Sequence, residues 1–244
     1  MIIIGIIPAR YASSRFPGKP LAKIASKTLI ERVYRKAEQA DLQKVIVATD
    51  DDRIQKEVIS FRGNVVLTGE HNSGTDRIAE ASAGIDCDAV INIQGDEPLI
   101  DPAIIDIISL SLKKYAWADM TTAASLINDE AEINDRNVVK TVFSSEGKAL
   151  YFSRSRIPYN NNIKNSAVKY YKHIGIYGYR KSFLEKFIVM KSSPLETAES
   201  LEQLRALENG YAIHVSVVKY NGVAVDIPGD VERVEKILKE NGEQ

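Results

Sequence analysis

The 244-residue sequence has one cysteine, one tryptophan and almost no net charge. The lone Cys87 excludes an intramolecular disulfide framework and indicates a reducing compartment. Because the 32 Lys and Arg residues nearly balance the 33 Asp and Glu residues, the chain has no general attraction for nucleic acid or an anionic membrane. No apolar run approaches the ~20 residues of a membrane helix, and the first run, Ile2–Ile7, is too short for a signal peptide. These absences predict a cytoplasmic protein that binds neither nucleic acid nor a membrane.

Strand and helix patterns alternate through the first half of the chain. The runs Ile2–Ile7, Lys44–Thr49 and Ala89–Ile93 are apolar enough for strands covered on both faces, and helical patterns lie between them. Such alternation is typical of parallel strands joined by right-handed crossovers. The sequence therefore predicts an α/β fold with a Rossmann-like, mostly parallel sheet and helices on both faces.

The pattern changes after Trp117. Three strands are predicted without long helices between them, at Met120–Ile127, Val138–Phe143 and Ala149–Phe152. We therefore predict an inserted antiparallel subdomain at roughly 119–190 within one domain that covers 1–244. The polar segment 160–166 is the candidate mobile loop, and one continuous helix is predicted over Pro194–Asn209.

The loop after the first strand is stiff and purely cationic. Residues 6–21 read IIPARYASSRFPGKPL, and no acidic residue precedes Glu31. Arg10, Arg15 and Lys19 can donate to phosphate oxygens, while Gly18 permits close backbone approach. Ligands of open α/β sheets bind beyond the carboxyl ends of strands, where this loop lies, so an oligophosphate is the ligand it suits. A solvated surface loop is the alternative; the residues match neither a Walker A loop nor a G-x-G-x-x-G fingerprint.

Two aspartates occupy equivalent positions at predicted strand ends. Asp96 in INIQGDEPLI and Asp226 in GVAVDIPGD each stand two residues before a proline. Beside a triphosphate, two carboxylates would form an oxygen site for Mg²⁺. Each aspartate could instead cap the turn or helix that follows it, and spacing alone does not show that the two meet.

Eight sequence blocks together resemble one enzyme family. They are IIPARYASSRFPGKPL, VATDDDRI, SGTDRIAE, NIQGDEPLI, ALYFSRSRIPY, HIGIYGYR, SPLETAESLEQLRALENG and GVAVDIPGDVERV. In this order they resemble the 3-deoxy-manno-octulosonate cytidylyltransferases, from residue 4 to about 238. Members couple CTP to the 2-keto-3-deoxy sugar acid Kdo for lipopolysaccharide biosynthesis. The resemblance implies a nucleotidyltransferase fold of the glycosyltransferase-A-like type, Mg²⁺ as cofactor, and a homodimer formed through the inserted subdomain.

The resemblance also implies roles for individual residues. Arg10 and Lys19 would hold the triphosphate, and Asp96 and Asp226 would ligate Mg²⁺, these four forming the catalytic set. The implied nucleotide-binding residues are Ala9, Arg10, Ser13, Arg15, Lys19, Ser73, Gly74, Arg77 and Gln94. The implied sugar-binding residues are Gln94, Arg154, His173, Tyr177, Glu202 and Gln203.

Several of these residues have a plainer interpretation. Ser73 could serve merely as the N-cap of a helix, and His173 could be a core histidine whose hydrogen bonds are made within the protein. Glu202 and Gln203 could lie on the solvent-exposed face of the predicted helix. Three alternatives for function also stay open: a cytidylyltransferase for the 8-amino-3,8-dideoxy analogue of Kdo, one for a sialic acid, and a silent nucleotide-binding protein. Retention of Arg10, Lys19, Asp96 and Asp226 together argues against the silent binder.

Overall fold

The computed structural model describes residues 1–13, 15–161, 168–220 and 222–242. Most of the predicted loop 160–166 lies outside the described residues. Two compact units are formed, one by Met1–Ser109 with Asn221–Gln244 and the other by Leu110–Tyr220. In the described part of the chain, no helix has the length and apolar character that crossing a membrane requires.

The described residues contain eleven named strands, and the six strands predicted above correspond closely to β1, β4, β6, β7, β8 and β9. They are β1 (Ile3–Ala9), β2 (Lys23–Ile24), β3 (Lys27–Thr28), β4 (Lys44–Thr49), β5 (Val65–Leu67), β6 (Ala89–Asn92), β7 (Met120–Ile127), β8 (Lys140–Phe143), β9 (Ala149–Ser153), β10 (Tyr170–Arg180) and β11 (Ile213–Val217).

The α-helices of the described residues alternate with these strands in the first half of the chain. They are α1 (Leu29–Ala37), α2 (Asp52–Ser60), α3 (Gly74–Ala83), α4 (Pro102–Lys114), α5 (Glu130–Asn134), α6 (Lys181–Phe187), α7 (Pro194–Glu199), α8 (Gln203–Glu208) and α9 (Gly229–Glu240). A 3₁₀ turn is found at Lys19–Leu21.

The first unit contains a parallel sheet in the order β6-β1-β4-β5. Isoleucines of β1 and β-branched residues of β4 are almost fully buried, as expected for strands covered on both faces. Side-chain caps begin the helices that follow: Thr28 accepts from the backbone N–H of Glu31, and Asp51 from that of Arg53. This sheet confirms the predicted α/β fold. Its parallel direction also places the carboxyl ends of β1, β4 and β6 at one edge.

The second unit is mainly antiparallel. Strand β10 pairs antiparallel with β7 and β8, and β8 pairs antiparallel with β9, whereas β11 joins β7 in parallel. Its core includes a run of aromatic rings in which Phe183 contacts Tyr179, Phe187 and Tyr211. Ring pairs of this kind stabilise a core beyond the area they bury.

The predicted helix over Pro194–Asn209 is wrong as a continuous element. The chain forms α7 and α8 instead, separated by Ser200 in the left-handed conformation with φ of 52°. A capping box at Ser193 begins α7, and Arg205 of α8 forms an ion pair with Glu196 of α7. Gln203, the first residue of α8, is only 3 % exposed, so it lies in the core and not on a solvent-exposed helix face.

Candidate active site

A cavity of about 290 Å³ lies beyond the carboxyl ends of β1 and β6, entirely within the first unit. All nine residues predicted to bind the nucleotide line it, together with both predicted metal ligands. The lining residues that the sequence did not single out are Pro8, Pro20, His71, Asn72 and Gly95. Folding thus brings residues from four separate segments together on one concave surface, as expected of a ligand site.

Gly18 allows the cationic loop to turn back toward Tyr11. It has φ of +73°, and its N–H donates to the carbonyl of Tyr11 over 2.9 Å. A Cβ here would stand 3.0 Å from the Tyr11 ring, so the position favours glycine by conformation and by space. The Tyr11 ring also carries the Arg53 guanidinium 3.3 Å from its centroid. These contacts brace the loop immediately before Lys19.

The two predicted metal ligands meet at one ammonium group. Lys19 Nζ lies 3.0 Å from Asp96 Oδ2 and 3.5 Å from Asp226 Oδ1. Arg15 donates to the same Asp226 oxygen over 3.0 Å. The backbone N–H of Val225 donates to the carbonyl of Asp96, which ties the two aspartate segments together. The convergence of Asp96 and Asp226 that spacing could not show is therefore present in the fold.

The Asp226 segment is held by a second carboxylate. Asp230 accepts from the backbone N–H groups of Ile227 and Asp226 over 2.9 and 2.8 Å. These hydrogen bonds, that from Ile227 foremost, lower the pKa of Asp230. The Asp226 side chain lines the cavity, while the Asp230 carboxylate holds the backbone of residues 226 and 227 by two hydrogen bonds.

The donor set suits a hard divalent cation that is shared with a phosphate ligand. Two carboxylates already gather around one positive charge, and Mg²⁺ is commonly held by one or two carboxylates with phosphate oxygens and water completing its shell. Within the described residues, no group of three or more His, Cys, Asp or Glu side chains is placed to hold a metal by protein ligands alone. Asp96 and Asp226 therefore fit an ion that arrives with a nucleotide.

Gly95 allows two strand ends to approach closely at the floor of the cavity. A Cβ at this position would lie 2.9 Å from the carbonyl oxygen of Pro8. Backbone atoms cannot yield as a flexible side chain does, so any larger residue would force the ends of β1 and β6 apart.

Ser73 caps α3 and lines the cavity as well. Its hydroxyl accepts from the Asp76 N–H over 3.0 Å and donates to the Asp76 carboxylate over 2.9 Å. The capping interpretation is thus confirmed, while the lining position keeps Ser73 available to a ligand. Gly74 follows it, with a Cβ position 3.3 Å from the Pro8 ring.

Arg77 reaches the cavity from a fixed position. Its guanidinium, in a side chain only 3 % exposed, donates to Asp50 over 2.7 Å and to the hydroxyl of Thr68 over 2.6 Å. A further contact joins it to the carbonyl of Gly69 at 3.4 Å. Because α3 and the segment after β4 hold this fork rigidly, Arg77 can present a preorganised edge to a bound base.

His71 is a cavity residue that no sequence pattern indicated. Its Nε2 contacts the Glu80 carboxylate, both oxygens of which accept from the Gly69 N–H over 3.1 Å. The hydrogen bonds from His71 and then from Gly69 lower the pKa of Glu80. Glu80 therefore stays ionised and orients the imidazole at the rim of the cavity.

Of the six predicted sugar-binding residues, only Gln94 belongs to the first unit, where it lines the cavity. Arg154 lies at the end of β9 in the second unit. Its Nε donates to the carbonyl of Glu199 over 2.7 Å, and its terminal nitrogens contact the carbonyls of Arg136 and Ser200 at 3.2 and 3.4 Å. The guanidinium is therefore oriented by backbone from two segments.

His173 and Tyr177 lie side by side on β10, with ring centroids 5.3 Å apart. The Thr122 hydroxyl donates to the carbonyl of Ile176, so its oxygen is placed to accept from His173 Nε2 at 2.9 Å. Burial lowers the pKa of His173 to about 3. Burial, followed by the charge of Glu202, raises the pKa of Tyr177. Both side chains are neutral at pH 7, which suits hydrogen bonding to sugar hydroxyls.

Gln203 is a predicted sugar-binding residue whose buried amide nitrogen lacks a polar partner in the part of the chain that the structure describes. The side chain is 3 % exposed, and among the described residues its Nε2 has no hydrogen-bond partner. A buried amide left in this state is costly unless a ligand or water satisfies it. Glu202, one residue earlier, contacts Arg205 at 3.6 Å. Glu202 and Gln203 both follow the break between α7 and α8, but Glu202 is partly exposed whereas Gln203 is buried.

The chain is similar to cytidylyltransferases over nearly its whole length. The family model for cytidylyltransferases matches residues 4–218. A 3-deoxy-manno-octulosonate cytidylyltransferase of Syntrophotalea carbinolica is 49% identical, with coverage of 98% of this chain and 99% of the relative. An 8-amino-3,8-dideoxy-manno-octulosonate cytidylyltransferase of Shewanella pealeana is also 49% identical, with coverage of 96% and 97%.

Solved structures give the same result. The structure of CMP:2-keto-3-deoxy-manno-octonic acid synthetase complexed with CTP matches with a TM-score of 0.95 and 39% identity, covering 99% of this chain and 100% of that one. A cytidylyltransferase of Leptospira borgpetersenii matches with a TM-score of 0.65, 17% identity, and coverage of 98% and 87%, which supports the fold alone.

Proposed function

Because the chain belongs to the cytidylyltransferase family, we propose that it activates Kdo: CTP and 3-deoxy-D-manno-octulosonate give CMP-Kdo and pyrophosphate. The observation that carries the proposal is the cavity of the first unit, where Arg10, Arg15 and Lys19 of the cationic loop converge with two carboxylates. A triphosphate needs cations, and a metal shared with it needs carboxylates. CMP-Kdo is the activated sugar of lipopolysaccharide biosynthesis, so the enzyme would serve that pathway.

The reaction is a direct displacement at phosphorus. The anomeric oxygen of the sugar bonds to the α-phosphorus, the bond from that phosphorus to the bridging oxygen breaks, pyrophosphate leaves, and the hydroxyl proton passes to solvent. Mg²⁺, held by Asp96 and Asp226 when bound, would lower the pKa of the attacking hydroxyl. Arg10 and Lys19 would stabilise the charge that grows on the leaving pyrophosphate, with Arg15 beside them. No covalent enzyme intermediate is required.

Apart from Gln94, which belongs to both predicted sets, the nucleotide and the sugar acid would use different residues of the chain. Ser73, Gly74 and Arg77 would enclose the cytidine, with Ala9 and Ser13 completing the wall. For the acid, Arg154 would pair with the carboxylate, because a guanidinium fork matches it bidentately. His173, Tyr177, Glu202, Gln203 and Gln94 would pair with hydroxyls. The buried, unpartnered amide of Gln203 supports this assignment within the described residues.

The 8-amino analogue of Kdo is the second candidate substrate. One of the two relatives at 49% identity acts on that sugar by name, so identity does not separate the two. Glu202 could accept from a hydroxyl or pair with an ammonium at the end of the sugar. Sialic acid and silent nucleotide binding have no comparable support.

The test is pyrophosphate release with CTP, Mg²⁺ and each of three acids, namely Kdo, its 8-amino analogue and sialic acid. We expect kcat/KM to be highest for Kdo, because buried polar groups reject analogues that leave them unpaired. A tenfold advantage for the 8-amino sugar, about 1.4 kcal/mol of transition-state preference, would replace the named substrate and keep the family. Release with none of the acids would overturn the enzymatic proposal.

We also propose that the protein works in the cytoplasm as a homodimer formed through the inserted subdomain at roughly 119–190. The support is the family resemblance, together with large apolar side chains exposed in that segment, among them Leu126 and Leu150. Light scattering after size exclusion would measure about twice the 27.1 kDa of one chain. Charged substitutions at those leucines should then yield monomers.

A further inference from the structure

Lys140 of β8 is buried to 0 % exposure in the second unit and lies outside every set that sequence analysis assigned to function. Its ammonium donates to three backbone carbonyls, those of Asp135, Val138 and Arg154, over 2.8, 2.6 and 2.7 Å. All three N–H donors of a lysine are thereby used. Burial lowers the pKa of Lys140, and the charge of Asp135 opposes that shift. Three acceptors therefore compensate for the cost of burying the ammonium, which makes Lys140 part of the architecture of this unit.

One of the three carbonyls belongs to Arg154, the predicted partner of the sugar carboxylate. The other two flank Arg136, whose own carbonyl accepts from a terminal nitrogen of Arg154 at 3.2 Å. Lys140 therefore holds the backbone of Arg154 and also the segment on which part of its guanidinium rests. The opposite side of Arg154 is held by Glu199, which accepts from the Arg154 N–H over 2.9 Å.

The same strand position is also connected to His173. Lys140 is paired in register with Ser153 of β9 and Lys172 of β10. The backbone N–H of His173 donates to the carbonyl of Val139 over 2.8 Å. The backbone of Val139 holds His173, whereas the ammonium of Lys140 holds Arg154, so the loss of the ammonium acts on Arg154.

We propose that Lys140 is a positioning residue for the sugar acid, which acts by fixing the backbone and guanidinium of Arg154 through three carbonyl oxygens. The inference rests on the proposed function, because it gives Arg154 its carboxylate ligand. Lys140 does not touch the substrate. It determines where the fork of Arg154 stands, and a displacement of about 1 Å can lower a rate by two orders of magnitude.

The decisive variant is Lys140→Met, which keeps the length of the side chain and removes its donors. We expect kcat/KM for the sugar acid to fall roughly ten- to a hundredfold, mainly through KM, while KM for CTP stays within about twofold. Lys172→Met is the matched control, because Lys172 is the register partner on β10 and its ammonium contacts Glu132 instead. We expect that control to match the parent protein.

A double-mutant cycle separates positioning from general damage. If Lys140 acts through Arg154, Lys140→Met should change sugar kinetics less than about twofold in an Arg154→Ala background. Additive losses in that background would overturn the inference, and so would parental sugar kinetics in Lys140→Met alone. Lys140→Gln, which keeps two N–H donors, replaces Met if the first variant does not fold. Unfolding of both would also overturn the inference, since the residue would then have no role separable from folding.

A measurement without turnover distinguishes this inference from the proposed function. The Nε–H resonance of Arg154, assigned by its loss in Arg154→Lys, should be slow to exchange in the parent because it donates to the Glu199 carbonyl. It should broaden or exchange rapidly in Lys140→Met and not in Lys172→Met. An unchanged resonance would refute the positioning role even if Kdo turned out not to be the substrate, and a changed one would support it in the same case.

Discussion

Acidification from pH 7 to pH 5 should remove much of the stability of this protein, because two histidines are buried in neutral form. Burial lowers the pKa of His173 to about 3, and burial with the nearby charge of Lys114 lowers that of His214 to about 4. In the unfolded chain both return to about 6.5. Between pH 6.5 and the folded values, the unfolded state therefore binds more protons, and stability is lost as the pH falls.

The size of the effect follows from linkage. At pH 5 each histidine favours the unfolded state by about 2 kcal/mol relative to pH 7, so the pair removes about 4 kcal/mol. Typical domains have only about 5–15 kcal/mol to lose. Carboxyls with lowered pKa, such as Asp51 beside Arg53 and Glu80 beside His71, add little in this window because their ordinary values are 3.8 and 4.5. The histidines should dominate the slope.

The assay is urea unfolding at pH 7, 6 and 5 and constant ionic strength, followed by far-UV circular dichroism and tryptophan fluorescence. Trp117 is the single tryptophan and lies 5.8 Å from the ring of His214, so its emission reports on that site. Coincidence of the two probes checks that one transition is being measured.

The informative variant is His214→Phe, which keeps an aromatic ring on Tyr115, whose centroid is 3.9 Å from that of the histidine. Without a titrating group at 214, the loss between pH 7 and pH 5 should fall to about 2 kcal/mol. A parent protein that loses less than about 1 kcal/mol, or a variant that loses as much as the parent, would refute the reasoning.

Two further predictions concern the cavity of the first unit. Lys19→Met should lower kcat/KM for CTP by about 10²-fold or more with little change in Tm, because it removes a hydrogen-bond donor to the leaving pyrophosphate. Lys23→Met, on the exposed side of β2, is the control. Near-normal turnover of Lys19→Met at saturating CTP would contradict the role of Lys19. Asp226→Asn should abolish turnover while costing about 1 kcal/mol of stability or less, because its ion pairs with Arg15 and Lys19 are partly exposed; a variant that melts early but keeps its activity per folded molecule would show that Asp226 is structural.

Strand and helix positions in the first half could be predicted because each buried strand is a continuous apolar run. The short elements could not. The pair β2–β3 and helix α5 have too few residues to display a period, and only a cap such as Asp129 marks where α5 begins.

The long helix failed for a different reason. Leucines at 201, 204 and 207 have helical spacing, but all three follow Ser200, and only Leu204 and Leu207 lie in α8. Their spacing therefore carries no information about the left-handed conformation of Ser200, which ends α7. Serine adopts this conformation seldom enough that no sequence rule would have placed it there. The break also affects the candidate site, because buried Gln203 is the first residue of the helix that follows it.

In the candidate site, the sequence predicted which residues belong to the site, but only the fold shows that they lie close together. The Asp-x-Pro pattern indicated Asp96 and Asp226 separately, and it predicted a strand before each of them. Asp96 does follow β6, but in the described residues no strand precedes Asp226 after β11 ends at Val217. The backbone hydrogen bond from Val225 to Asp96 joins the two segments, so that both carboxylates reach Lys19. His71 and Lys140 were missed because neither belongs to a pattern with a chemical meaning. Their importance lies in partners far along the chain, Glu80 in one case and the carbonyl of Arg154 in the other.

The division of the chain has an evolutionary consequence. Every residue that lines the nucleotide cavity belongs to Met1–Ser109 or to Asn221–Gln244, whereas all but one of the predicted sugar-binding residues fall in the uninterrupted stretch Leu110–Tyr220. A single recombination event that exchanged this stretch would replace five of the six predicted sugar-binding residues and leave the residues that line the cavity unchanged. Acceptor preference could thus diversify among relatives, from a sugar hydroxyl to an amine, while the donor CTP stayed the same.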